Sequence, residues 1–341
     1  MSSAPRRSPR GIERGWKHQG SPFHEGEQRV QSLMGVRDQV ERAGRNMIRE
    51  EMPDQHRAFF ELLPMLVVGS MDDQGRLWAS ILAGEPGFVR SPTPKSLRVT
   101  AEPVPGDPLA RNLREGAALG LLGIQLETRR RNRANGRVSA RDAGSFTVQI
   151  DQSYGNCKQY IQAREPQFDP TLRGAVGSTV VEGAHLSARA SAVLAHTDTF
   201  FIATASAAAT SGAEGEGVDV SHRGGRSGFV RVGEGTRATE LGFPDFSGNF
   251  IFNTLGNLQV NPRAGIVCAD FESGAVVSLT GTARVIWDGE AVAAFPGAER
   301  LVIFEVESGV FFEHALPLRF TGFAPSPDLV GTGTWAEVGL R

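Results

Sequence analysis

The chain is 341 residues long, with 36 Lys and Arg against 38 Asp and Glu and a formal net charge of −2. That length holds one large domain or two ordinary ones with real cores, and a near-neutral balance gives no case for bulk nucleic-acid binding, which calls for a basic excess. The two cysteines, Cys157 and Cys268, stand far apart with no CxxC pair, which speaks against zinc-ribbon or thioredoxin-type chemistry.

Residues 1–22 are rich in Ser, Pro, Arg and Gly and read as a disordered, solvated tail. The tail is basic but has no apolar h-region, so it is no secretory signal. No apolar run approaches membrane-spanning length, and a reducing cytoplasm is the expected compartment. Over 25–48 the apolar residues Val30, Leu33, Met34, Val40, Ala43 and Met47 recur at helical spacing, which predicts one amphipathic helix. Pro53 opens a second helix and Pro64 stops it. Strands are expected at 65–69 and 76–83 around a turn at 72–75, then a short helix at 107–115. Further strands are expected at 118–124, 128–140 and 145–152. Arg129, Arg130, Arg131 and Arg133 form a basic cluster. Alternation splits it between faces, so it reads as mostly solvated surface, with a phosphate or partner contact as the lesser reading. Residues 155–164 read as helical and 165–183 as a Pro/Gly-punctuated linker. A helix is expected at 186–195 and a strand at 199–205. The small-residue run 206–217 reads as a flexible hairpin loop. Cys268 sits in an apolar run and reads as a small core residue. More strand is expected at 299–312, and a loop at 325–333.

The second half repeats the first. Gly87-Phe88-Val89-Arg90 matches Gly228-Phe229-Val230-Arg231, an offset of 228 − 87 = 141. Ser80 and Gly84 match Ser221 and Gly225 at the same offset. Farther on, Asn112-Leu113 matches Asn257-Leu258, an offset of 257 − 112 = 145, which Gly120/Gly265 and Gly136/Gly281 share. Two copies are too few for a solenoid and suit two similar β-barrels about a pseudo-twofold axis. The copies differ in charge: Leu82 stands where Arg223 stands, and Glu85 where Arg226 stands. A phosphate needs cationic forks and free backbone N–H groups. A phosphate-bearing ligand is therefore expected on the second copy. The run 246–287 adds three asparagines beside glycines and large apolar residues, the mixture that a flat heteroaromatic ligand with polar edges requires.

Ser221-His222-Arg223-Gly224-Gly225, followed by Gly228-Phe229-Val230-Arg231, Gly248-Asn249 and the segment 257–262, resembles the pyridoxamine 5′-phosphate oxidase-like, FMN-binding split-barrel family. The run Thr280-Gly281-Thr282-Ala283 is similar to that family's later barrel strand. The resemblance is strongest over 196–290. It implies a mainly β fold with peripheral helices: two tandem six-stranded antiparallel split barrels forming a pseudo-dimer, with FMN between them. The implied organisation is a tail at 1–22, helices and a first barrel at 23–164, a linker at 165–185, and an FMN-binding barrel with a C-terminal extension at 186–341. The implied cofactor contacts are Ser221, His222, Arg223, Gly224, Gly225, Arg226, Phe229, Asn249, Asn253 and Asn257. For Asn253 and Asn257, holding the local helix is an equal reading. Two departures stand out. Phe250 follows Gly248-Asn249 where some relatives carry an arginine, and the chain ends Val338-Gly339-Leu340-Arg341 without the Arg-Leu-x-Pro of true pyridoxamine phosphate oxidases.

With FMN the cofactor does the redox chemistry and the protein positions it. The expectation is an oxidoreductase on a small or planar substrate, with a reductase as electron source. A non-catalytic flavin carrier and a haem-binding split barrel are the alternatives. No metal spacing such as HExxH and no GxGxxG is present. Neither nucleic acid nor a membrane is an expected partner, and a homodimer is compatible with the family. His222 inside a phosphate loop reads as a hydrogen-bonding or packing residue before an acid or base.

Overall fold

The computed structural model describes residues 15–173 and 177–339. Residues 1–14 of the expected tail at 1–22, and residues 174–176 of the expected linker, lie outside the described residues.

The chain opens with three helices, α1 (Glu25–Leu33), α2 (Arg37–Met47) and α3 (Asp54–Glu61). The single helix expected over 25–48 is two. Gly35 sits at φ +70, a conformation glycine adopts without steric cost. The Val36 N–H then donates back to the Gln31 carbonyl and closes α1. His24 caps the start of α1: its Nδ1 accepts from the Gly26 N–H, and Glu27 accepts from the His24 N–H. Residues 15–22 lie against α2, with the Trp16 N–H donating to the Arg45 carbonyl.

Seven strands follow: β1 (Met65–Met71), β2 (Leu77–Ala83), β3 (Val89–Thr93), β4 (Ser96–Val99), β5 (Ala118–Gln125), β6 (Arg130–Asp142) and β7 (Ser145–Asn156), with α4 (Leu109–Asn112) before β5. They form one sheet in the order β2-β1-β5-β6-β7-β4-β3. The helix expected over 155–164 is absent. β7 runs to Asn156, which pairs with Arg131. Tyr160 then turns the chain at φ +64, and β8 (Ala163–Phe168) pairs with a late strand, β17 (Leu318–Ala324). Sheet partners thus meet backbone hydrogen-bonding needs that a helix would otherwise satisfy. The expected linker carries β9 (Thr179–Glu182), paired to the second sheet.

After α5 (Ala188–His196) come β10 (Thr199–Ala205), β11 (Val218–Gly224), β12 (Arg231–Glu234), β13 (Thr239–Phe246), α6 (Asn253–Val260), β14 (Arg263–Ala269), β15 (Val276–Ile286), α7 (Glu290–Ala294) and β16 (Ala298–Phe312). A short helix, α8 (Trp335–Val338), closes the described chain. The second sheet runs β11-β10-β14-β15-β16-β13-β12, the first order repeated strand for strand. Both sheets are antiparallel and hydrogen-bonded as open paths. Each has seven strands on its main path instead of six.

The duplication extends to single residues. The ladder shifts register at Asn135/Gly136 in β6 and at Thr280/Gly281 in β15. A Cβ at either glycine would collide with the carbonyl across the ladder, Gln149 or Glu305, so each bulge depends on its glycine. Asn112 donates to Ser70 Oγ at 3.0 Å, and its counterpart Asn257 donates to Thr204 Oγ1 at 3.0 Å. The halves also touch reciprocally: Gly120 of β5 lies on the backbone of Val218 and Asp219, and Gly265 of β14 on that of Leu77 and Trp78. Such mutual contacts are what a twofold relation produces. Each sheet has its own apolar core, and a third cluster joins them through Val67, Ile81, Leu122, Phe201, Val220 and Val276. Full burial of each such side chain contributes roughly 1.5–3 kcal/mol.

Candidate functional site

Beside that third cluster the two sheets enclose a cavity. From the second half it is lined by Ser221, His222, Arg223 and Gly224 of β11, and by the run 244–250 with Phe252, Asn253, Thr254 and Leu255. From the first half come Arg131 and Arg133 of β6, Asn156 at the end of β7, and Cys157, Gln159 and Tyr160 just after it.

The guanidinium groups of Arg131, Arg133 and Arg223 converge here, with Arg300 behind them. Arg223 pairs with Asp245 at 2.9 Å, and Arg300 holds the other oxygen of that carboxylate at 3.1 Å. Arg133, 2% exposed, pairs with Asp219 and donates to Ser221 Oγ at 2.7 Å. Arg131 differs. Its Nε donates to the Cys157 carbonyl at 2.5 Å, and among the described residues no carboxylate pairs with it. Burial, then the nearby Arg223 and Arg133, pushes its pKa down to about 10. A half-buried cation among like charges favours an incoming anion.

Several lining residues carry buried polar atoms with no hydrogen-bond partner: Arg223 Nε, Arg133 Nε, His222 Nε2, Asn156 Oδ1 and Thr254 Oγ1. Buried polar groups are rarely left this way unless a ligand or water completes them. Burial first, and then Arg131 and Arg223, holds the His222 pKa well below the ordinary imidazole value. His222 is therefore neutral at pH 7, with its ring edge-on to Phe201.

The loop over the cavity is shaped by its own residues. Asn249 Oδ1 accepts from the Ile251 N–H at 3.2 Å, a local turn around Phe250, and Phe250 and Phe252 stand at φ +60 and +65. Non-glycine residues held there store strain, and such residues cluster at binding sites. Phe252 is anchored beneath the Arg300 guanidinium, 5.3 Å from its ring centre. Phe250 remains 38% exposed.

The structure brings Ser221, His222, Arg223, Gly224, Asn249 and Asn253 together around one cavity. The other expected contacts do not line it. Gly225 packs against the Phe229 ring, and Phe229 is buried in the second core, stacked on Phe200. Arg226 makes a two-pronged pair with Glu337 at 2.6 and 3.0 Å. Asn257 is fully buried and donates to Thr204 and Asp219. Asn253 borders the cavity with both ends of its amide in use, donating to Glu27 at 2.7 Å and accepting from Tyr154 at 3.2 Å. The solvated-surface reading of the basic cluster is corrected. Arg130 lies over the Phe59 ring on one face, while Arg131 and Arg133 both reach the cavity. The period-2 spacing of 131 and 133 was the available signal.

The equivalent place on the opposite side is filled. Counting back from the bulge glycines, Arg131 corresponds to Val276 (136 − 131 = 281 − 276 = 5) and Arg133 to Ser278. Across the ladder, Tyr154 and Asn156 correspond to Val310 and Phe312. On the strand that faces them from the other sheet, His222 and Arg223 correspond to Ile81 and Leu82. Ile81, Val276, Val310 and Phe312 pack in one apolar cluster with Ala315, Leu316 and Leu318.

No protein-family model and no curated protein matches the sequence. Among solved structures, the chain is similar to HupZ of Group A Streptococcus, with 14% identity over 36% of this chain and 90% of that one, TM-score 0.28. It is also similar to a Lactobacillus delbrueckii protein described as a putative pyridoxamine 5′-phosphate oxidase, with 16% identity over 37% of this chain and 93% of that one, TM-score 0.29. A third likeness, to the Bacillus subtilis inhibitor of motility MotI/DgrA, covers 72% of this chain and 88% of that one at 10% identity and TM-score 0.23. Scores this low do not establish a shared fold. No helix among the described residues is long and apolar enough to cross a membrane.

Proposed function

We propose that the chain is a flavoprotein built of two fused split barrels of the pyridoxamine 5′-phosphate oxidase-like type, with FMN held in the cavity between its halves. The supporting observation is Arg131, a half-buried guanidinium that no carboxylate pairs with among the described residues, next to Arg133 and Arg223. These residues, with Ser221 and the Gly224 backbone, would hold the phosphate. Asn156 Oδ1, His222 Nε2 and Thr254 Oγ1 are free to meet polar edges of the ligand. The donor set suits a dianionic group attached to a polar, partly aromatic body. Bound FMN would supply two-electron chemistry on a small or planar substrate, and a reductase is the proposed source of electrons.

In this reading the chain's own residues bind, orient and exclude. Asp245 keeps Arg223 and Arg300 in place. Phe252 and Tyr160, whose hydroxyl donates to the Ser247 carbonyl at 2.8 Å, brace the covering loop. His222, neutral and unpaired at Nε2, can accept a hydrogen bond at pH 7 or, as the other tautomer, donate one. Mass spectrometry of the ligand released from purified protein tests the reading. FMN is the expected species, and Arg131→Met and Arg223→Glu should each weaken FMN uptake at least tenfold with the fold intact. Uptake unchanged in both variants would place the phosphate elsewhere.

A second reading rests on the same His222 Nε2, since a neutral, unpaired imidazole nitrogen is also a haem-iron ligand. A Soret band without flavin absorbance, lost in His222→Ala, would favour it.

A further inference from the structure

A second cavity, of about 290 Å³, lies where β6 and β7 meet the hairpin loop between β10 and β11 and the segment around Trp16. It shares no lining residue with the proposed flavin site, and Asp219 is one of its lining residues. Its walls carry Glu50, Asp151, Glu214, Glu216 and Asp219 against Lys95, Arg137 and His18.

Much of this charge is already committed. Asp219 pairs with Arg133. His18 bridges Glu50 and Glu214, one carboxylate on each ring nitrogen. Lys95 lies 3.6 Å from Glu51. Arg137 donates to the Ala209 carbonyl at 3.0 Å and reaches Asp151 only at 3.9 Å. Glu216 is left without a cation partner among the described residues, and its buried Oε2 accepts no hydrogen bond. Asn135, 8% exposed, adds a second unmet acceptor. Its Nδ2 donates to Asp219 at 2.7 Å, which fixes the amide orientation and leaves the buried Oδ1 without a donor. Burial, with Glu50 nearby, also raises the Asp151 carboxyl pKa.

Unmet acceptors and surplus carboxylates call for a ligand that donates hydrogen bonds and carries positive charge. The space is near the lower end of small-molecule pockets and much larger than a single ion. Among the described residues no cluster of His, Cys, Asp or Glu is arranged to hold a metal. We infer that this cavity binds a small organic cation bearing primary ammonium groups, held by Glu216, Asp151 and Asn135 Oδ1.

Calorimetry of the purified protein with 1,4-diaminobutane and with spermidine tests the inference, with sodium chloride at matched ionic strength and magnesium chloride as controls. The expected result is saturable one-to-one binding of at least one amine that neither salt reproduces. Glu216→Gln with Asp151→Asn should weaken it at least tenfold while leaving FMN uptake unchanged. Asp151→Asn alone, at a half-exposed position, should weaken it measurably and serves if the double variant does not fold. No saturable amine binding, equal binding by the variants, or equal binding of magnesium would overturn the inference. FMN uptake is read on the same samples, so failure at one cavity is distinguishable from failure at the other.

Discussion

Arg131 is a half-buried cation that meets the Cys157 carbonyl but, among the described residues, no carboxylate. Its pKa is lowered to about 10, so it stays charged below that value and its charge costs the folded state stability relative to the unfolded chain. Removing such a charge relieves a cost instead of breaking a pair. Arg131→Met should therefore raise the melting temperature of ligand-free protein, by roughly 1 kcal/mol of stability, while abolishing FMN uptake. A differential scan with and without FMN checks both. A merely structural arginine would lower the melting point instead. The residue shows where sequence reading stops. Arg223 stood out because the charged copy could be compared with its uncharged twin, whereas Ser221 and Asn249 entered through the family resemblance. Arg131 did not stand out, because alternation says which side chains share a face but not what the face meets. Only the packing of one sheet on the other turns that face inward.

At the scale of elements, α1 crosses α6 with almost no side chain between them. A Cβ at Gly256 would meet the backbone of Glu27, and a Cβ at Gly26 the carbonyl of Gly256. Gly256→Ala should force the helices apart and cost about 1–3 kcal/mol, measured as a lowered urea midpoint. The close crossing buries Glu27, which accepts from Asn253 at 2.7 Å. Burial, then Asp219, raises the Glu27 pKa well above 4.5. For an acid with a raised folded-state pKa, the associated stability is full below about pH 4.5 and is lost as pH rises through the folded value. Glu27→Gln should flatten that alkaline-side loss, and a pH series of melts would show it. An unchanged slope would mean that Glu27 is ionised in the folded chain. Most strands and the caps at Pro53 and Pro64 follow from the sequence pattern. The run 155–164 does not, because the partner that makes Ala163 to Phe168 a strand is β17, far along the chain. The break within 25–48 rests on Gly35, a local signal outweighed by apolar spacing on both sides.

The whole molecule is a duplication whose two related sites have diverged. Strand order, bulge glycines and the Asn112/Asn257 bonds are kept in both halves. The site residues are not: one set is Arg131, Arg133, Asn156, His222 and Arg223, and the other is Val276, Ser278, Phe312, Ile81 and Leu82. The sequence revealed the charge loss on β2, but not that Val276, Val310 and Phe312 close the space. Their correspondence depends on ladder register, which only the structure supplies. With one twin of the duplicated site charged and the other closed by apolar side chains, the proposed function requires one FMN per chain. Titration of ligand-free protein with FMN, followed by flavin fluorescence and by native mass spectrometry, measures that number directly. Binding should saturate at one FMN per chain and vanish in Arg131→Met. No uptake from an excess of FMN, or saturation at two, would contradict the proposed site.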